Sequence, residues 1–260
     1  MDSCNYKLCH EHDFDSRSYL ENYFSDSPEM IFAEDSLVFP IENLKKTFTE
    51  GHIKGDILID LSLGSVIHHL YSACEFFNNI IVLKASNRCI MELKRWADTR
   101  TGAFYWGHAT KLHADTEEVS EPLQDKEEKV RLALQHVVKC DYSKENMTDP
   151  IVLPPADCII SVWLLDAISR DQNDYITYLR RFTKLLKPGG RLILFGDLEI
   201  TYFTVGTEKF HAFCYNEDFV RKALEGEGFV IDCCKVRERT SVSDLLDHKG
   251  VIFIAAHRKN

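Results

Sequence analysis

The sequence predicts an α/β fold built on a mostly parallel sheet, and two observations carry that prediction. Short apolar runs recur along the chain, as expected of strands covered on both faces. Between them lie amphipathic stretches at helical spacing, and strands alternating with helices imply right-handed crossovers. The chain has 260 residues, 45% hydrophobic and 28% charged, enough for one large domain with a sizeable core.

Residues 13–50 read as helical. Residues 16–24 start with a serine cap and carry aromatics at i, i+4 and i+5, one face of a helix. Leu37, Val38, Ile41, Leu44 and Phe48 repeat at helical spacing, with Pro40 as a kink or boundary. Residues 56–61 form the first buried strand, bounded by Gly55 and Gly64. Residues 67–77 suit a helix, 79–83 a second strand and 86–96 a second helix. The acidic stretch 115–128 reads as a solvated face leading into a helix over 130–138. Another buried strand covers 157–163. An amphipathic helix over 175–186 stops at Lys187-Pro188-Gly189-Gly190, and a strand follows over 191–196. Two last strands, 229–232 and 251–256, have no clear helix between them and predict an antiparallel hairpin at one edge. No repeat or linker interrupts the pattern. One domain over 1–260 is expected, with 1–50 as a helical lid on an α/β core of 51–260.

A formal net charge of −10 argues against nucleic acid or an anionic membrane as the partner, since both need clustered Lys and Arg. The nine cysteines are odd in number and irregularly spaced, and Cys74, Cys89, Cys140, Cys158 and Cys214 sit among apolar residues. Cys4, Cys9, His10 and His12 lie close together but lack the paired spacing of a structural zinc site, so no metal is expected. The N-terminus lacks the basic and apolar blocks of a signal peptide, and the longest apolar run, 158–165, is too short to cross a bilayer. A reduced, cytoplasmic protein is the expectation.

In an open parallel sheet, ligands bind beyond the carboxyl ends of the strands. The loop after the first strand, Leu61-Ser62-Leu63-Gly64-Ser65, has one glycine to let backbone approach a ligand. It contains no G-x-G-x-x-G, which disfavours a nicotinamide-dependent dehydrogenase.

A set of segments in fixed order narrows the reading. They are Gly55-Asp56-Ile57-Leu58-Ile59-Asp60, His69-Leu70-Tyr71-Ser72-Ala73-Cys74-Glu75, Met91-Glu92-Leu93-Lys94-Arg95-Trp96, Lys139-Cys140-Asp141, Pro154-Pro155-Ala156-Asp157-Cys158 and Leu185-Leu186-Lys187-Pro188-Gly189-Gly190. With Tyr19-Leu20-Glu21-Asn22-Tyr23-Phe24 and Tyr202-Phe203-Thr204-Val205-Gly206, they resemble the nicotinamide, indolethylamine and phenylethanolamine N-methyltransferase family, collinearly from about Phe14 to the C-terminus. The resemblance implies a Rossmann-like methyltransferase fold: a mostly parallel seven-stranded sheet, an antiparallel edge hairpin and an N-terminal helical lid. It implies S-adenosyl-L-methionine as cofactor and a small amine or pyridine-like acceptor.

By the same resemblance, Tyr19 lies over the cofactor in the lid, with Phe24 nearby. Ser62, Leu63 and Gly64 lie under its methionine end. Asp141 and Tyr142 flank the adenine, and Val162, with His68, Lys84 and Cys89, completes the lining. Asp166 and Asp197 are the candidate catalytic residues, facing the acceptor. Five positions depart from the family pattern. Ser62 replaces a glycine, His68 a tyrosine, and Lys84 the acid that grips both ribose hydroxyls. The acid after the fifth core strand falls at Gly196, with Asp197 next to it able to take over. Ala212 replaces a serine, so a nicotinamide site is poorly preserved.

Lys84 has the largest consequence. Hydrogen bonds to a charged acceptor contribute about 1.5–3 kcal/mol each, and losing two weakens binding by roughly a hundredfold or more. A protonated lysine has no acceptor atom; its side chain is expected to snorkel to solvent, with Ser86 or Asn87 as partial substitutes. Methyl transfer to a neutral amine is an in-line displacement that needs alignment, closure and exclusion of water rather than a strong base. Tyr19, Phe24 and Phe203 suit the enclosure of a cationic centre. Two readings follow: an active methyltransferase, or a divergent member with weak or lost cofactor binding that acts as a binding or regulatory protein.

Overall fold

The computed structural model describes residues 6–27, 30–115 and 122–259. Its core is a seven-stranded sheet in the order β3-β2-β1-β4-β5-β9-β8. The strands are β1 (Ile57–Ser62), β2 (Asn79–Lys84), β3 (Leu134–Lys139), β4 (Ala156–Val162), β5 (Leu186–Leu198), β8 (Phe229–Glu238) and β9 (Gly250–Arg258). β1 to β5 run parallel to one another, and β9 is antiparallel to both β5 and β8, the edge hairpin that the sequence predicts. Leu58, Ile59, Ile80, Val82, Ile159 and Ile160 are wholly buried, because helices cover both faces.

The helices between them are α3 (Leu70–Ala73), α4 (Asn87–Ala97), α5 (Gly107–Asp115), α6 (Leu123–Ala133), α7 (Leu165–Ile168), α8 (Gln172–Thr183) and α9 (Glu217–Gly226). At the N-terminus stand α1 (Ser16–Phe24), a π-helical turn (Glu34–Val38) and α2 (Phe39–Glu50), with Pro40 marking the boundary inside the first turn of α2. A small hairpin, β6 (Tyr202–Val205) with β7 (Glu208–His211), stands apart from the main sheet.

Several expectations need correction. The cap of α1 is Asp15, whose side chain accepts from the Ser18 amide at 3.1 Å; Ser16 instead shares a buried hydrogen bond with Ser65 at 2.7 Å. The helix expected over 67–77 shrinks to Leu70–Ala73, flanked by turns. The helix expected over 130–138 ends at Ala133, and Leu134–Lys139 becomes edge strand β3. Pairing of Val137 with Val82 and Val138 with Leu83 overrides the helical spacing there. The expected strand 191–196 is the centre of a longer β5 that includes the Lys-Pro-Gly-Gly turn. Cys4 and residues 116–121 of the acidic stretch lie outside the described residues. The eight described cysteines are all free. Among the described residues, no helix is long and apolar enough to cross a membrane.

Helix α1 is tied to the small hairpin by Asn22 Nδ2, which donates to the Thr204 carbonyl at 3.1 Å, and by the Tyr23 hydroxyl. Tyr23 Oη lies 2.9 Å from the Thr204 carbonyl and 3.1 Å from that of Leu245, and it accepts from the Thr204 amide at 3.0 Å. The Thr204 amide also donates to the Leu245 carbonyl at 2.7 Å, so a Tyr23→Phe variant removes hydrogen bonds without stranding that amide and is expected to lose about 1 kcal/mol in urea unfolding. An unchanged midpoint would show that the hydroxyl does not fasten the lid.

Candidate functional site

Two cavities open beyond the carboxyl ends of β1, β2, β4 and β5, and Leu63 lines both. The first, about 310 Å3, lies over the loop after β1, between the ends of β1 and β2. Ser62, Leu63, Gly64, Lys84, Cys89 and Tyr142 line it, six of the eleven expected cofactor-binding residues. Gly64 has φ +63°, and a Cβ there would stand 2.7 Å from Tyr19 Cδ1, so this loop conformation requires glycine. Residues Cys9, His10 and Phe14 close the cleft from the opposite side. The Cys9 thiol donates to Ala167 O at 3.4 Å, and the His10 ring packs edge-on against Tyr142 and Tyr178.

Lys84 corrects the expectation most sharply. Its side chain is 2% exposed and turns inward rather than to solvent. Nζ donates to Ser62 O at 2.7 Å and to Ser62 Oγ at 2.6 Å, and it stands 3.6 Å from Asp60 Oδ2. Asp60 is wholly buried; Oδ2 accepts from Ser62 Oγ at 2.8 Å and Oδ1 from His69 Nε2 at 2.7 Å. Burial pushes the Asp60 carboxyl up, but His69 and Lys84 outweigh it and hold the group below its usual value. The carboxylate draws the ammonium inward, because a buried charge needs a partner more than a lysine needs water.

The other expected cofactor residues are placed differently. Asp141 is exposed, and its Oδ1 accepts from the Ser143 amide and hydroxyl, capping the turn. Val162 is buried in β4 and, like Asp141, lies outside both linings. His68 is fully buried, its ring stacked on Phe24 and Trp106, and neither ring nitrogen has a hydrogen-bond partner among the described residues. Burial holds His68 well below its usual pKa, so the ring is neutral. Tyr19 and Phe24 line the second cavity rather than the first.

That second cavity, about 510 Å3, holds both candidate catalytic residues. Asp166 enters from α7 and Asp197 from β5, and Asp166 Oδ2 accepts from the Asp197 amide at 3.2 Å. Asp166 is pushed up to about 8, first by burial and then by the neighbouring Asp197. Asp197, 16% exposed, is raised to about 6 by burial, with His248 opposing. Gly196 explains why the acid sits one residue later than the resemblance puts it. A Cβ at Gly196 would stand 2.0 Å from Tyr215 Oη, so no side chain fits there, and the next residue of the strand faces the other side. Ala212 lines this cavity without a hydroxyl, with Tyr19, Tyr23, Phe24, Trp163 and Phe203 around it.

Sequence reasoning missed Asp35 and His248. His248 is 3% exposed and stands between two carboxylates, 3.4 Å from Asp197 Oδ1 and 3.6 Å from Asp35 Oδ2. Arg237 Nε donates to Asp35 Oδ1 at 3.1 Å. These residues come from the π-helical turn, β8 and the segment before β9, and no local spacing links them.

With this geometry in view, the comparisons are decisive for family. A profile of the NNMT/PNMT/TEMT family matches residues 5–259. The chain belongs to that family. It is 33% identical to human nicotinamide N-methyltransferase over 245 residues, covering 94% of this chain and 93% of that protein. Rabbit (Oryctolagus cuniculus) indolethylamine N-methyltransferase is also 33% identical, with 94% and 92% covered, and human phenylethanolamine N-methyltransferase is 31% identical, with 94% and 89% covered. Among solved structures, an S-adenosylmethionine-dependent methyltransferase from Clostridium acetobutylicum superposes with a TM-score of 0.58 at 14% identity, covering 89% of this chain and 96% of that one. Magnesium protoporphyrin IX methyltransferase from Synechocystis, with bound SAM, gives 0.56 at 13% identity, with 94% and 90% covered. The fold is that of the Rossmann-like methyltransferases.

Proposed function

We propose that this chain is an S-adenosyl-L-methionine-dependent methyltransferase that moves a methyl group to the nitrogen of a small amine or pyridine-like acceptor. The observation that carries the reading is the pair of cavities sharing Leu63, one over the loop after β1 and one lined by Asp166 and Asp197. Family membership supplies the reaction type, since the relatives are named as N-methyltransferases of nicotinamide, indolethylamine and phenylethanolamine.

On the acceptor side, the two carboxyls hold an amine or a ring amide by hydrogen bonds, and the surrounding aromatic rings exclude water and favour a cationic centre. A carboxyl raised toward neutrality by burial is able to take or share the acceptor's proton before transfer. The absent hydroxyl at Ala212 favours amines over nicotinamide. On the donor side, Ser62, Leu63, Gly64, Cys89 and Tyr142 are the residues assigned to the cofactor. The end of β2 does not fit its ribose, because Lys84 fills that place and offers no acceptor.

That misfit favours a second reading, a divergent member that binds acceptor-like ligands and turns over little or nothing. Both readings share one domain, a small-molecule partner rather than nucleic acid, and a cytoplasmic setting, which the net charge of −10 and the free cysteines support. Incubation with methyl-labelled S-adenosylmethionine at millimolar concentration and a panel of phenylethylamines, indolethylamines and pyridines separates them. Label is expected on at least one amine; none on any acceptor would leave only the second reading.

A further inference from the structure

A cation stands where this kind of fold gives a nucleoside its anchor. In open α/β sheets with a ligand over the first loop, the ribose hydroxyls bond to an acid about 20 residues beyond the loop glycines. Counted from Gly64, that place is Lys84, the last residue of β2, in parallel register beside β1. Its ammonium is spent internally. Two of its hydrogens go to the Ser62 carbonyl and hydroxyl, and the Asp60 carboxylate compensates its charge from 3.6 Å. Asp60 is itself fixed by His69 and Ser62, so the cation has a built seat rather than a chance contact. What remains of the cleft lies under Cys9, His10 and Phe14.

We propose that Lys84 is an internal occupant of the ribose subsite. Seated on Ser62 and Asp60, it takes the volume and the bonding position of the ribose anchor. An adenosyl ligand therefore binds weakly, and only when Lys84 swings out of its seat. Leaving that seat separates a buried ion pair, and this cost is charged against ligand affinity. The choice of an adenosyl ligand rests on the methyltransferase reading above.

Calorimetric titration with S-adenosylhomocysteine tests the proposal without any need for turnover. Wild type is expected to bind with a Kd no tighter than about 100 μM. Lys84→Asp restores an acceptor for both hydroxyls and is expected to bind about a hundredfold more tightly. Lys84→Asn, a neutral acceptor that does not crowd Asp60 with a second charge, is expected to gain about tenfold and decides the matter if the aspartate variant fails to fold. Lys84→Met removes the ammonium without supplying an acceptor and is expected to gain less than either. Micromolar binding by wild type overturns the proposal, as does a folded Lys84→Asn or Lys84→Asp variant that binds no better than wild type. Failure of the methyltransferase reading looks different: tight binding by Lys84→Asp with no label moved to any amine leaves the occupant in place and removes only the enzyme.

Discussion

Replacing Asp166 with asparagine is expected to lower kcat/KM for the best amine acceptor by about a hundredfold or more, the usual range for removing a positioned acid or base. The same substitution is expected to change how stability depends on pH. Asp166 is raised to about 8 in the folded chain and Asp197 to about 6, both above their ordinary value near 4, so the folded state holds protons that the unfolded state has released. A raised folded value contributes stability that is fully present below the unfolded value and is lost as pH rises through the folded one. Wild type is therefore expected to lose at least about 1 kcal/mol between pH 5 and pH 8, or about 2–4 °C in Tm for a chain of this size. Asparagine keeps the shape and an acceptor for the Asp197 amide but does not titrate, so most of that slope disappears. Scanning calorimetry across the interval reads the slope; a variant as steep as wild type removes Asp166 as its origin. A flat stability profile with unchanged kcat/KM would assign the acid to structure alone.

The elements legible in the sequence are those whose burial is uniform. β1, β2, β4 and the middle of β5 sit between two helical layers, so most of their positions are apolar and the run announces itself. β3 lies at the sheet edge with Gln135 and His136 exposed, and it follows α6 without a break, so its period is hidden. The site divides in the same way. Asp166 follows directly on a buried strand and is easy to find, and Asp197 is displaced by one residue for a reason only packing reveals, the Tyr215 hydroxyl against Gly196. Asp35 and His248 come from opposite ends of the chain and meet only in three dimensions. Lys84 shows the limit most clearly. Its identity flagged the subsite, but the direction of its side chain is set by a carboxylate on the neighbouring strand, and a lysine at a strand end carries no mark of that partner.

Asp60→Ala is expected to destabilise the chain by about 3–5 kcal/mol, the cost of stranding a buried charge whose partner has been removed. The ammonium of Lys84, 2% exposed, would keep only Ser62, and the His69 Nε2 hydrogen bond would lose its acceptor. Removing both charges is a different matter, because desolvation of the pair offsets most of its attraction. Asp60→Ala with Lys84→Met is therefore expected to recover most of the loss, and the cycle of two single variants and the double is expected to give a coupling of about 2 kcal/mol or more. Urea midpoints with constant m-values measure it. Additive losses would mean that Lys84 leaves its seat and reaches solvent once Asp60 is gone. The acid side gives an independent reading of the same pair. Asp60 is held below its usual value, so its contribution is present at neutral pH and lost as pH falls through the folded value. Asp60→Asn is expected to flatten the acid limb of the stability profile, while Lys84→Met flattens it only in part, because His69 still holds the carboxylate. A full effect from Lys84→Met alone would place the whole depression on the lysine and make His69 a bystander.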